Sequence, residues 1–281
     1  MKLVMKNILV PVDFSDASFN ASNYASMLCN IFNSEVILVH AYKNPSGIDE
    51  IPDSWLNQPE KELQDLKQDF INEDVEILRK KYTIKIKGVA IEGMAVPTIL
   101  KVAKEEDAGL IVIGMKGKGK SKSVFGSTTV MVMRKSSVPV LVIPEKAEFN
   151  DILVITLASD FGAETELSNY SLLKQIALKN NAFIQIVNVR KKEAEFSPGE
   201  VSKKINTAFV FEDLKHEFYT INDDEVDEGI EDFLEDHPSD LLVMMARKRN
   251  LFDRIFKESH TRKMSYETEI PLLVLQDKQS L

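Results

Sequence analysis

Short apolar runs alternate along this chain with segments whose apolar residues recur at helical spacing. The first run spans residues 7–12. Residues 16–33 follow it, with Leu28 and Phe32 on the apolar face of an amphipathic helix. A continuous apolar run is typical of a strand buried on both faces, so the alternation predicts a parallel sheet with helices on both faces.

The alternation continues as far as residue 143 and predicts the other elements of a first domain. A long charged helix is predicted over residues 59–81, after a loop over residues 44–58. Its predicted apolar positions are Leu63, Leu66, Phe70 and either Val75 or Ile77. Further strands are predicted over residues 36–41, 84–91, 110–113 and 140–143, and a short helix containing Ile99 follows Gly93 and Pro97.

The whole pattern starts again near Asn150. Residues 151–155 align with residues 7–11, and residues 182–189 resemble the second strand. The spacing from Gly114 to Pro139 also equals the spacing from Ala246 to Pro271. These matches indicate a tandem duplication, with domains over residues 1–146 and 147–281.

A glycine-rich loop separates the strand over residues 110–113 from a helix that begins at Gly126. Backbone N–H groups of such a loop, together with the N-terminus of a helix, favour a phosphate. The Ser127, Thr128 and Thr129 hydroxyls could donate further hydrogen bonds. A solvated surface loop with glycines in its turns is the alternative, because a lone glycine-rich loop is weak evidence. The loop contains Gly114, Gly117 and Gly119 and the lysines Lys116, Lys118, Lys120 and Lys122.

The second repeat differs from the first in this loop, because residues 246–262 contain no glycine. Glu258 aligns with Gly126, and a carboxylate at the start of a helix repels a phosphate. The alignment also replaces Pro11-Val12-Asp13 by Ile155-Thr156-Leu157. We therefore expect the second domain to keep the scaffold and to lack the site.

Two ionisable residues lie at the ends of the first two predicted strands. Asp13 follows the first strand, and His40 lies near the end of the second. Asp13 could accept a hydrogen bond from a sugar hydroxyl or help to hold Mg²⁺, although a helix-capping role is the alternative. His40 is interpreted as a structural residue rather than as a catalytic base.

Charge and composition narrow the classes of function. The formal net charge of −9 argues against general binding of nucleic acid. The chain has a single cysteine, Cys29, which excludes an internal disulfide and fits a reducing compartment. Cys29 is predicted to lie in the core. No apolar run reaches membrane-spanning length, and the first residues do not resemble a secretory signal. We expect a cytoplasmic protein that does not associate with a membrane.

Several segments resemble the universal stress protein family, and the resemblance covers nearly the whole chain. The nucleotide-binding branch of that family carries the motif G-x2-G-x9-G-[ST]. Here Gly114-x2-Gly117 is followed by eight residues before Gly126-Ser127, one fewer than the motif has. The segments that carry the resemblance are ILVPVDFS at 8–15, VILVHA at 36–41, VAIEGMAVPTILKVAKEEDAGLIVIGMKGKG at 89–119 and FGSTTVMVMRKSSVPVLVIP at 125–144.

The resemblance implies two Rossmann-like domains, each with a five-stranded, mainly parallel sheet and helices on both faces. The last strands of the repeats, residues 140–143 and 272–275, are predicted to pair, since an exposed apolar edge is a liability. We expect the two domains to form a pseudo-twofold pair. The resemblance also implies that the first domain binds ATP, with or without Mg²⁺, or ADP or AMP. The implied binding residues are Pro11, Val12, Asp13, Ala41, Gly114, Met115, Gly117, Gly126, Ser127 and Thr128.

Three functions remain as hypotheses. In the favoured one, a stress-response regulator binds an adenine nucleotide, and the bound state alters contacts with an unidentified protein partner. A slow ATPase or phosphotransferase is the second, although the sequence contains no Walker A, HRD or DFG motif. The third is an interaction scaffold in which neither domain binds a nucleotide. Each leaves open whether the protein forms a homodimer.

Overall fold

The chain forms two compact units, Met1–Val138 and Pro139–Leu281. Both combine strands and helices, which confirms the predicted α/β class. Among the described residues, no helix is both long enough and apolar enough to cross a membrane. The computed structural model describes residues 5–43, 60–116, 125–159, 167–190, 198–246 and 270–276.

The first unit alternates strands with helices in the predicted order. The helix predicted to begin at Gly126 begins one residue later, at Ser127, with Gly126 as its N-cap residue. The strands are β1 (Asn7–Pro11), β2 (Glu35–Tyr42), β3 (Lys85–Glu92) and β4 (Ala108–Gly114). The helices are α1 (Asp16–Phe32), α2 (Glu60–Lys81), α3 (Ala95–Glu105) and α4 (Ser127–Lys135).

All four strands of the first unit are parallel, in the order β3-β2-β1-β4. The chain winds outward from β1 through β2 to β3 and then returns to the other side of β1 as β4. The strand order therefore reverses between β1 and β4. Open α/β sheets bind ligands at such a switch point, beside the carboxyl ends of the strands.

Helix α2 packs on β3 through a face that the sequence pattern predicted only in part. Gly88 of β3 permits this approach, since a Cβ atom there would lie 3.0 Å from side-chain atoms of Ile71 and Val75. The buried apolar residues of α2 are Leu63, Ile71, Val75 and Leu78, whereas Leu66, Phe70 and Ile77 are 40%, 42% and 48% exposed.

The second unit contains six strands among its described residues. β5 (Val140–Ile143) is followed by β6 (Val154–Ala158), β7 (Phe183–Arg190), β8 (His216–Asn222), β9 (Leu241–Ala246) and β10 (Leu272–Gln276). The helices are a 3₁₀ turn (Leu167–Tyr170), α5 (Ser171–Asn180), α6 (Pro198–Val210) and α7 (Val226–Asp236).

Strand β5 explains where the two units divide. The strand order in the second unit is β5-β10-β9-β6-β7-β8, and every pair is parallel except β5 with β10. Leu141 of β5 lies opposite Leu273 of β10 in an antiparallel ladder, so the predicted pairing of the two last strands is confirmed. Because of this ladder, β5 groups with the second unit, although the sequence repeat places it at the end of the first.

The strand register corrects the alignment of the two repeats. Ile8 of β1 lies opposite Val36, the second residue of the eight-residue β2. Ile155 of β6 lies opposite Ile184, the second residue of the eight-residue β7. Ile155 therefore corresponds to Ile8, and its alignment with Pro11 is wrong.

The corrected register also changes which residues come after the first strand of the second repeat. Ser159 corresponds to Val12, and the next two residues in the sequence, Asp160-Phe161, repeat Asp13-Phe14. The second repeat therefore keeps an acidic residue there, in contrast to the predicted replacement of Asp13 by Leu157.

A distant carboxylate decides where β6 begins. One carboxylate oxygen of Asp240, Oδ2, accepts hydrogen bonds from the backbone N–H groups of Leu153 and Val154, at 2.9 and 2.8 Å. The Leu153 side chain is 56% exposed. The apolar residues Ile152 and Leu153 resemble a strand start in sequence but precede the strand in the fold.

Candidate functional site

A cavity of about 210 Å³ lies in the first unit, at the carboxyl ends of β1, β2 and β4. Its position coincides with the switch point of the sheet, where the fold leaves room for a ligand. The lining residues are Pro11, Val12, Asp13, Ser15, Ser18, Val39, Ala41, Ala95, Ile99, Ile113, Gly114, Lys116, Gly126, Ser127, Thr128 and Thr129.

The structure brings most of the sequence-predicted residues together around this cavity. Met115 is an exception, because its side chain is buried and its carbonyl accepts a hydrogen bond from the N–H of Gly126 at 2.8 Å. Gly117, Lys118, Lys120 and Lys122 lie outside the described residues. The predicted residues that line the cavity are Pro11, Val12, Asp13, Ala41, Gly114, Gly126, Ser127 and Thr128.

One part of the lining is apolar and comes from two strands and α3. Val39 and Ala41 belong to β2 and Ile113 to β4, while Ala95 and Ile99 belong to α3. The predicted site does not include Ala95 or Ile99, although the sequence pattern places Ile99 on a helix. Ala95 and Ile99 are far from β2 in the sequence, and only the folded parallel sheet brings them close to it.

The opposite part of the lining is the N-terminus of α4. Its N-cap residue, Gly126, makes no side-chain capping bond, and the first turn contains no acidic residue. Ser127 is exposed and Thr128 is half-buried. Backbone N–H groups at a helix start carry partial positive charge, so this end of the cavity suits an anion.

Close packing holds α4 and α1 beside the end of β4. Thr129 donates a hydrogen bond from Oγ1 to the carbonyl of Gly114, at 2.9 Å. A Cβ atom at Gly114 would lie 2.8 Å from the carbonyl oxygen of Ala17, so only glycine allows α1 to approach this closely. The glycine at the end of the fourth strand therefore has a packing role in addition to lining the cavity.

The N-terminus of α1 also meets the cavity, but the N–H groups of its capping residues Ser15 and Ser18 are bonded within the turn. Ser15 and Ser18 form a reciprocal capping box, with the N–H of Ser18 3.2 Å from Oγ of Ser15 and the N–H of Ser15 3.1 Å from Oγ of Ser18. The carboxylate of Asp13 accepts from both the N–H and the hydroxyl of Ser15. Asp13 and Asp16 put negative charge at the start of α1, whereas the first turn of α4 has no acidic residue, so the start of α4 suits an anion better.

His40 does not line the cavity. Its Nδ1 atom lies 2.9 Å from the carbonyl oxygen of Val12, and its ring packs against Phe14 with centroids 4.5 Å apart. This environment is that of a structural residue, as expected from the sequence.

Comparison with known proteins identifies the family. The model of the universal stress protein family matches residues 5–144. A universal stress protein of Synechocystis sp. is 34% identical over 144 residues, which cover 50% of this chain and 87% of that relative. The chain belongs to the universal stress protein family. Another universal stress protein, of Methanocaldococcus jannaschii, is 27% identical over 161 residues, covering 52% of this chain and 99% of the relative.

The likeness of fold extends beyond the first repeat of this universal stress protein. The crystal structure of a universal stress protein from Archaeoglobus fulgidus superposes with a TM-score of 0.69 at 16% sequence identity. It covers 98% of this chain and 97% of that one. At this identity the match concerns the fold alone, and it includes both repeats.

The second repeat of this universal stress protein has a side-chain hydrogen bond just after its own first strand, β6. Asn188 of β7 donates from Nδ2 to the carbonyl of Ser159 at 2.7 Å. The glycine-free stretch of the second repeat lies almost entirely outside the described residues, so the expected loss of its site stays a prediction from the sequence.

Proposed function

We propose that the first repeat binds an adenine nucleotide, with ATP as the principal candidate, and that binding regulates contacts with a protein partner. The observation that carries this proposal is the uncapped N-terminus of α4, which faces an apolar pocket at the switch point of the sheet. ADP and AMP share the features that this site would recognise, and Mg²⁺ could accompany the phosphates of ATP.

The phosphates would lie at the N-terminus of α4. Ser127 and Thr128 present backbone N–H groups and hydroxyls there, and the ammonium group of Lys116 on the same lining supplies positive charge. Partial charges at a helix start and a nearby cation both stabilise a polyphosphate.

The base and the sugar would occupy the remainder of the cavity. Val39, Ala41 and Ile99 offer an apolar surface for a flat ring, and burying that ring removes apolar area from water. Asp13 lines the same cavity, and its carboxylate can accept hydrogen bonds from ribose hydroxyls. The pocket thus offers an environment suited to each part of a nucleotide.

A regulatory role fits this lining better than catalysis of phosphoryl transfer. Among the described residues that line the cavity, Asp13 and Lys116 are the only ionisable ones. Asp13 already accepts two hydrogen bonds from Ser15, whereas phosphoryl transfer requires a positioned base or water. The chain has a single cysteine and so no internal disulfide, which is the usage typical of a reducing compartment, and we place the protein in the cytoplasm.

The experiment is a calorimetric titration of ATP, with and without Mg²⁺, into protein stripped of bound nucleotide. We expect one site per chain, strongly weakened in Gly126→Glu, because a carboxylate at the N-cap repels the phosphates. Gly126→Ala is the matched control, since its Cβ atom would have no neighbour nearer than 3.6 Å. It should weaken ATP binding far less than the glutamate does.

Other outcomes have definite meanings. Two sites per chain would show that the second repeat binds as well, contrary to the assignment to the first repeat alone. An absence of binding at millimolar ATP would reject the proposal in favour of the scaffold hypothesis. Release of phosphate at a rate that Gly126→Glu abolishes would favour the slow ATPase.

A further inference from the structure

The residue that follows β1 is held to β2 at both its backbone groups. The N–H of Val12 donates to the carbonyl of Val39 at 2.9 Å. The carbonyl of Val12 lies 2.9 Å from Nδ1 of His40. A carbonyl oxygen can only accept, so in this bond Nδ1 carries the hydrogen.

The second repeat makes the same pair of bonds with a different side chain. The N–H of Ser159 donates to the carbonyl of Val187 at 2.8 Å, and Nδ2 of Asn188 donates to the carbonyl of Ser159 at 2.7 Å. Asn188 occupies the same position in β7 as His40 does in β2. An amide nitrogen has no acid–base function near neutral pH, so the property that the two positions share is donation of a hydrogen to this carbonyl.

His40 also contacts the residue on the other side of Asp13. Phe14 has a φ of 58°, a left-handed conformation that is unfavourable for a bulky residue and persists only where packing enforces it. Its ring lies 4.5 Å from the His40 ring and 6.0 Å from the Phe70 ring, measured between centroids. His40 therefore supports both Val12 and Phe14, the two neighbours of Asp13 in the chain.

We infer that His40 is a positioning residue, which orients the Asp13 carboxylate towards the ligand through the Val12 carbonyl and the Phe14 ring. This inference rests on the proposed nucleotide function for its effect on affinity. His40 itself does not line the cavity, so it acts without touching the ligand. Its requirement is a hydrogen donor at the position of Nδ1, and an asparagine meets the same requirement in the second repeat.

The first test compares His40→Leu with His40→Asn by titration of ATP. Leucine fills the site without a donor, and we expect ATP affinity to fall by about tenfold, comparable to the loss of one hydrogen bond. Asparagine supplies the donor that Asn188 supplies in the second repeat but not the ring that packs against Phe14, so it should restore part of that loss. Equal weakening by both substitutions, or no weakening by leucine, would overturn the inference.

The second test is a double-mutant cycle with Asp13→Asn. If His40 acts through Asp13, His40→Leu should lower affinity much less in the Asp13→Asn background than in the wild type. Additive losses would show that His40 acts on the site independently of Asp13, and would reject the proposed route.

A measurement on the ligand-free wild type separates this inference from the proposed function. Long-range ¹H–¹⁵N spectra of the imidazole, recorded where the ring is neutral, should show His40 protonated on Nδ1 and not on Nε2. The Nε2–H tautomer would overturn the inference even if ATP binds. Failure of the wild type to bind ATP would overturn the proposed function, and with it the effect on affinity inferred here.

Discussion

The Thr129 hydroxyl donates a hydrogen bond to the Gly114 carbonyl, 2.9 Å away, and so joins the first turn of α4 to the end of β4. Thr129 is only 3% exposed, so water cannot replace this bond easily. Because the N-terminus of α4 forms one side of the cavity, the bond links stability of the fold to the shape of the site.

Thr129→Val should therefore lower both stability and ATP affinity. Valine keeps the shape of threonine but removes the donor, and we expect the free energy of unfolding to fall by about 1 kcal/mol. Urea denaturation followed by circular dichroism checks the stability. Thr129→Ser keeps the hydroxyl and should retain more of the affinity than Thr129→Val does. Equal affinities for the two variants would show that the bond does not shape the site.

Gly114→Ala should destabilise the first repeat. Its new Cβ atom would lie 2.8 Å from the backbone oxygen of Ala17, so α1 must move away from β4. We expect a loss of about 1–3 kcal/mol in the free energy of unfolding, measured by urea denaturation. Gly126→Ala is the control, since the nearest neighbours of its new Cβ atom would lie 3.6 Å away. It should lower the free energy of unfolding much less. If the Gly114→Ala protein were as stable as the wild type, α1 could move away from β4 without loss of stability.

Cys29 should not react with thiol reagents in the native protein. The side chain is buried, and burial raises the pKa of its thiol, so little thiolate exists at neutral pH. Its Sγ atom also lies 2.7 Å from the Ser34 carbonyl oxygen. Labelling with Ellman's reagent should be slow in buffer and complete in guanidinium chloride. Since the chain has one cysteine, fast labelling of the folded protein would directly contradict the predicted burial.

Asp240→Ala should loosen the start of β6. The substitution removes the acceptor of the N–H groups of Leu153 and Val154. We therefore expect the free energy of unfolding to fall by about 1–2 kcal/mol. Hydrogen exchange should show faster exchange at the Val154 amide, with little change in β1 of the first repeat. Asp240→Asn keeps an acceptor oxygen and should lose less. Unchanged protection at Val154 in Asp240→Ala would mean that the carboxylate does not hold the strand start.

Much of the candidate site could be predicted because its residues follow strands or begin a helix. Asp13 follows an apolar run, and Gly126 precedes a helical pattern, so local sequence places both at element ends. Ser15 and Ser18 were not predicted to line the cavity, because in the sequence they look like ordinary helix-capping residues. Ala95 and Ile99 were missed for another reason: small and aliphatic residues carry no chemical signal of a site.

The sequence by itself determined the alternation of strands and helices, the duplication and the glycine-rich connection, because these depend on periodicity and on local backbone preferences. The tertiary structure decided which face of α2 is buried, since Gly88 on β3 admits Ile71 and Val75. It also decided where β6 begins, since the carboxylate that accepts from the N–H groups of Leu153 and Val154 belongs to the distant Asp240. Finally, it paired His40 with Val12 and Asn188 with Ser159. Contacts between residues far apart in the chain set these features, and a local pattern contains no information about which distant residue supplies the partner.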